Sequence, residues 1–171
     1  MSAPHAHRAN GADLRARVAI ITASDTRTLA DDRSGATIAE RLEAAGHTVA
    51  ERRIVPDDAD RIREEALDFL RVEGVDGVLV TGGTGISWRD TTHEAVGGLL
   101  DARLDGFGEL FRMLSYDEIG SAAMLSRAIG GIASGRFVFA MPGSTAAVRL
   151  AMDRLILPEL GHLLAELRKR G

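Results

Sequence analysis

The stretch that most constrains the fold is Val78-Leu79-Val80-Thr81-Gly82-Gly83-Thr84-Gly85, followed by Ile86-Ser87-Trp88-Arg89-Asp90-Thr91-Thr92. A short apolar run rich in β-branched residues reads as a strand buried on both faces. It breaks into glycines and threonines, then an arginine and a carboxylate, before a helical pattern begins at Thr91 or Thr92. Glycine frees the backbone for positive φ and lets amides approach a ligand closely. The first amides of the following helix lack internal partners and carry partial positive charge. Together these features describe a phosphate cradle at the carboxyl end of a strand, where open α/β sheets bind their ligands.

The flanking chain alternates strands with helices. Residues 17–24 form a first buried strand, and Ser34 is the expected N-cap of a helix carrying Ile38, Leu42 and Ala45 and stopped by Gly46. Residues 48–55 mix apolar positions with Glu51, Arg52 and Arg53, the pattern of an edge strand. Pro56-Asp57-Asp58 turns the chain into a helix with Ile62, Ala66, Phe69 and Leu70 at helical spacing. After the glycine loop, a helix is expected over 92–104, an irregular segment over 106–114, and a helical pattern after Tyr116 that ends at Gly130-Gly131. Residues 136–141 are the last clear strand; Ser144 or Thr145 caps a helix bearing Val148, Met152 and Leu155, and Pro158 opens a terminal helix with Leu160, Leu163, Leu164 and Leu167. This order predicts an α/β domain, a mostly parallel central sheet between two helical layers, over 17–171, with a flexible tail over 1–16.

Composition narrows the function classes. At 171 residues with 45% hydrophobic content, one domain with a substantial core is expected. Net charge of −4, 4% aromatics and no basic run longer than Arg168-Lys169-Arg170 argue against nucleic acid as a partner. The absence of cysteine excludes disulfides and a thiol nucleophile. No apolar stretch approaches ~18 residues, and residues 1–17 lack a signal-peptide centre, so a cytoplasmic protein without membrane contact is expected. His47, His93 and His162 have no ligand-like neighbours in sequence and read as structural or surface residues.

In a parallel sheet the strand-to-helix loops 24–34, 56–58, 81–92 and 141–145 share one rim. They bring glycines, hydroxyls and arginines suited to anions, and two carboxylates, Asp57 and Asp90. Phosphates and carboxylates on one rim repel unless a hard divalent cation lies between them, and Mg²⁺ is commonly held by one or two carboxylates together with substrate phosphates. That combination points to phosphoryl or nucleotidyl transfer. Locally, Asp57 and Asp90 also read as helix-start residues, and Trp88 as either a lid stacking on a base or an oligomer contact. A Walker loop is ruled out, because Lys169 is the only lysine, and Gly83-x-Gly85-x-x-Trp88 breaks the dinucleotide fingerprint.

Thr81-Gly82-Gly83-Thr84-Gly85 with Arg89-Asp90-x-Thr92-x-Glu94-Ala95 resembles the molybdenum-cofactor biosynthesis proteins of the MoaB/MogA type. The likeness runs on through Gly106-Phe107-Gly108-Glu109, Met124-Leu125-Ser126-Arg127, Met141-Pro142-Gly143-Ser144 and Ile156-Leu157-Pro158-Glu159-Leu160, and lies nearer the MoaB branch. The resemblance implies adenylylation of molybdopterin by Mg·ATP. It places the metal-binding and catalytic carboxylates at Asp57 and Asp90, and pterin contacts at Ser115 and Ser126, with Arg127 a further substrate-binding residue. It lines the nucleotide and pterin-phosphate pocket with Thr81, Gly82, Gly83, Thr84, Gly85, Pro142, Gly143 and Ser144. Trimers or hexamers are implied as well. Two positions depart from the family pattern: His93 stands where proline is common, and Pro142-Gly143-Ser144-Thr145 replaces the Pro-Gly-Asn-Pro of many adenylylating members. The latter leaves open a non-catalytic, molybdopterin-binding or scaffolding role. A nucleotide hydrolase on a related fold is a third reading.

Overall fold

The computed structural model describes Gly11 and residues 13–169. Four strands, β1 (Arg17–Ala23), β2 (Thr48–Val55), β3 (Gly77–Thr81) and β6 (Arg136–Met141), form the parallel part of a six-stranded sheet. The other two, β4 (Ala102–Arg103) and β5 (Ile129–Ala133), extend it in antiparallel pairing, giving the order β2-β1-β3-β6-β5-β4. The helices are α1 (Arg33–Ala44), α2 (Ala59–Arg71), α3 (Thr92–Gly97), α4 (Asp105–Ile119), α5 (Thr145–Ala151) and α6 (Leu157–Arg168).

Alternation along each buried strand divides the core in two. Val18, Ile20, Leu79, Phe137, Phe139 and Met141 pack with Leu42, Phe111, Val148 and Leu160 on one face. Ala19, Ile21, Val78, Val80, Val138 and Ala140 pack with Ile62, Phe69, Ala95 and Val96 on the other. β2 lies at the sheet edge, as its charged residues predict. The terminal helix is unbroken: between α5 and α6, residues 152–156 wind in wide π form, and Val148, Met152, Ile156, Leu160 and Leu164 are all buried.

Several boundaries differ from expectation. Asp32, not Ser34, caps α1, its Oδ1 accepting from the Gly35 amide at 2.9 Å. Helix α3 ends at Gly97 rather than Leu104, and 106–114 lies within regular α4. The pattern read as helical up to Gly130-Gly131 is the end of α4, a 3-10 segment (Gly120–Leu125) and the strand β5. Those two glycines are packing positions in a strand: a Cβ on Gly130 would sit 2.2 Å from the Phe139 ring, and one on Gly131 2.3 Å from the Ala102 carbonyl oxygen.

Of the expected tail, residues 1–10 and 12 lie outside the described residues, as do 170 and 171. Ala16 is buried and Leu14 packs against the core, so the packed chain begins ahead of Arg17. The neutral His47 ring helps to hold this segment, its Nδ1 accepting from the Ala16 amide at 3.1 Å. Burial pushes the His47 imidazole below its ordinary value, and the charge of Arg15 adds to the effect. Among the described residues no helix is long and apolar enough to cross a membrane.

Candidate functional site

The carboxyl ends of β1, β2, β3 and β6 open onto one rim, with the glycine turn after β3 at its centre. Gly82 (φ +101°) and Gly83 (φ +57°) adopt the left-handed conformations that side chains resist. Space is equally restrictive: a Cβ on Gly82 would lie 2.3 Å from the Ala23 carbonyl oxygen, and one on Gly83 2.4 Å from Asp57 Oδ1 and 2.6 Å from Thr92 Oγ1. The turn is fastened to β6, the Gly82 amide donating to Met141 O at 3.1 Å and Thr81 Oγ1 to Pro142 O at 3.1 Å.

On one side of this turn lie carboxylates. Asp58 caps α2, accepting from the Asp60 and Arg61 amides at 3.1 and 3.0 Å, so Asp57 has no capping duty. Its Oδ1 is buried without a hydrogen-bond partner, as are Thr91 Oγ1 and Thr92 Oγ1. Asp90 is not a helix cap either; its Oδ2 accepts from the Ser87 amide at 2.8 Å and shapes the loop before α3. A third acid, Asp25, accepts from the Asp57 amide at 3.1 Å and is ion-paired with Arg89. Burial raises the Asp57 carboxyl above its ordinary value; the negative charges of Asp25 and Asp90 add to this, and Arg89 opposes it. In the sequence Asp25 is one more residue of the loop 24–34, and nothing local marks it as part of the site. Its position at the end of β1, next to β2 and β3, is the signal that could have exposed it.

On the other side lies a cavity of about 400 Å³ whose lining includes Ser24, Arg27, Arg33, Ser34, Gly143 and Ser144. The Ser34 hydroxyl donates to Gly143 O at 2.6 Å, joining α1 to the loop after β6. Ser144 caps α5, accepting from the Ala147 amide at 3.1 Å.

Arg127 is spent on the loop rather than turned toward the cavity. Its Nε donates to Gly85 O at 2.7 Å, its Nη2 to Asp90 O at 2.5 Å, and its Nη1 pairs with Glu94. Its backbone amide donates to Thr84 O at 3.0 Å, and its carbonyl oxygen lies 2.7 Å from His93 Nδ1. Ser126, beside it, has a buried Oγ without a partner. Ser115 is buried on α4, and among the described residues no hydrogen bond ties it to the glycine turn. The rim therefore gathers Asp57, Asp90, residues 81–85 and 142–144, with Arg127 bracing the turn from behind.

Carboxylate and hydroxyl oxygens left without partners suit a hard cation such as Mg²⁺. Among the described residues no group of three or more His, Cys, Asp or Glu side chains is arranged to hold a metal ion alone. The donor set thus fits an ion that completes its shell with ligand oxygens.

Fold and site define an α/β protein with a mostly parallel sheet and its polar groups gathered at the carboxyl rim. Residues 19–162 match the family described as "probable molybdopterin binding domain", and the chain belongs to that family. It is 56% identical over 155 residues to molybdenum cofactor biosynthesis protein B of Bacillus cereus, covering 90% of this chain and 92% of the relative. A solved structure of a molybdenum cofactor biosynthesis protein B is 55% identical with a TM-score of 0.89, covering 91% of this chain and 98% of that one. The tungsten cofactor synthesizing protein MoaB from Pyrococcus furiosus is 37% identical with a TM-score of 0.78, covering 90% and 98%.

Proposed function

We propose that this chain acts in molybdenum cofactor biosynthesis by transferring AMP from ATP to molybdopterin. In that reaction a terminal phosphate oxygen of molybdopterin forms a bond to the α-phosphorus of ATP. The bond from that phosphorus to the bridging oxygen breaks, and pyrophosphate leaves with the electron pair. The nucleophile is already anionic at neutral pH, so no protein base is required.

The observation that carries the reading is the buried, partnerless Asp57 Oδ1, set against Gly83 and facing the charges of Asp25 and Asp90. Asp57 and Asp90 would hold Mg²⁺, with Asp25 restraining the Asp57 backbone. The ion, when bound, screens repulsion between the phosphates and stabilises charge on the leaving group. The amides of Gly83, Thr84 and Gly85, with those of His93 and Glu94 at the start of α3, orient phosphate oxygens. Arg27, Arg33 and the hydroxyls of Ser24 and Ser144 bind the second anion.

The test is incubation with ATP, Mg²⁺ and molybdopterin, with adenylylated pterin detected by mass spectrometry. Product is expected from the natural chain and is lost in Asp57→Asn and Asp90→Asn. Molybdopterin binding without turnover under all conditions would instead establish the scaffolding role.

A further inference from the structure

Trp88, the only tryptophan, is 83% exposed, and the neighbouring Ile86 is 69% exposed. Leaving an indole in water forgoes burial of a large apolar surface. The segment bearing it is nonetheless well fixed. The Asp90 amide donates to Ser87 O at 2.9 Å, Asp90 Oδ2 accepts from the Ser87 amide at 2.8 Å, and Arg127 grips Gly85 O and Asp90 O. Trp88 is thus an aromatic ring held out from a braced loop at the centre of the rim.

Its surroundings tie it to the carboxylates. The Arg89 guanidinium carbon lies 4.8 Å from the Trp88 ring centroid, and the same guanidinium is paired with Asp25, which in turn accepts from the Asp57 amide. The ring therefore stands one guanidinium group away from Asp25, whose carboxylate holds the Asp57 amide, on the same rim as the glycine turn. A cation stacked on an indole polarises it, and exposed indole accepts flat nitrogen heterocycles by stacking.

We infer that Trp88, backed by Arg89, is the stacking platform for the planar heterocycle of the substrate whose phosphates occupy the rim, a reading that rests on the proposed function above. Adenine and the pterin share this chemistry, and separate ligands distinguish them.

The single tryptophan supplies a direct readout. Its emission is followed during titration of the full chain with Mg·ATP, with molybdopterin, and with Mg·tripolyphosphate, which has no ring; calorimetry measures each affinity independently. Emission is expected to be quenched by the heterocycle that stacks and to stay unchanged with tripolyphosphate. Trp88→Ala weakens that ligand by about 5- to 150-fold, Trp88→Phe retains most of the affinity, and tripolyphosphate binding is unaltered in both. If every heterocyclic ligand that binds by calorimetry leaves emission unchanged, or binds Trp88→Ala as tightly as the natural chain, the inference is overturned and the proposed function is left standing. Emission that responds to dilution but to no ligand, with a smaller mass for Trp88→Ala, assigns the ring to a contact between copies and also overturns it. Absence of any heterocycle binding removes both readings. Quenching without adenylyl transfer removes only the catalytic one.

Discussion

The two sides of the glycine turn have opposite chemistry within a few residues. One presents Asp25, Asp57 and Asp90, crowded enough that burial and mutual repulsion raise the Asp57 carboxyl. The other presents Arg27, Arg33 and serine hydroxyls around a cavity. The acids crowd one another, whereas the arginines of the cavity stand beside the buried Asp32, which is paired with Arg52. Gly82 and Gly83 keep the two apart by the width of a backbone, since a side chain at either position would strike Ala23 or Asp57. Under the proposed function, the contrast matches a ligand of mixed character, a cation on one side and an anion on the other.

The sharpest way to break the contrast is to neutralise the acidic side. Asp57→Asn or Asp90→Asn should lower adenylyl transfer by about 10³-fold in a steady-state assay, with additional Mg²⁺ failing to restore it. Next in size, Arg127→Ala should cost about 10²-fold in kcat with a smaller change in KM, because the loop carrying Asp90 loses its brace while neither anion loses a direct contact. On the basic side, Arg33→Ala should weaken molybdopterin by about 10-fold with kcat nearly unchanged, read by calorimetry and by KM.

Smaller effects concern stability. Because the folded Asp57 value is raised, the ligand-free fold binds more protons than the unfolded chain above the ordinary carboxyl range, and its stability falls as pH rises through that window. Asp57→Asn should therefore raise Tm at neutral pH by on the order of 1–3 °C even as activity disappears. His47, remote from both sides, behaves oppositely. Its depressed value means that the unfolded chain takes up the proton first, so stability is full above the ordinary imidazole range and declines on acidification through it. His47→Gln should flatten that acidic limb in thermal melts recorded from neutral pH downward.

What was legible in the sequence follows from which interactions are local. The runs that became β1, β3 and β6 are apolar without interruption, and Gly46 ends α1 in the positive-φ conformation its position suggests. The strand β5 was missed because Gly130 and Gly131 answer to Phe139 and Ala102, partners that only the folded sheet supplies. In the site, Asp57 and Asp90 were visible in sequence, whereas their freedom from capping was not. That depends on Asp58 and on the turn between Ser87 and Asp90. Arg127 could be placed near the ligand loops, but its role as a brace emerges only when Gly85, Asp90 and Glu94 converge on one guanidinium.

The wide winding at residues 152–156 has a consequence for how the chain can change length. Val148, Met152, Ile156, Leu160 and Leu164 recur at every fourth position, and in a helix of 3.6 residues per turn such a row drifts sideways by about 40° per step. The looser turn winds back part of that drift, so a single seam stays against the sheet from α5 to the last turns of α6. Deleting one residue there would let the wide turn close to an ordinary α turn with Leu160 and Leu164 still on the seam, so the middle of this helix is where it can shorten by a residue without losing its phase.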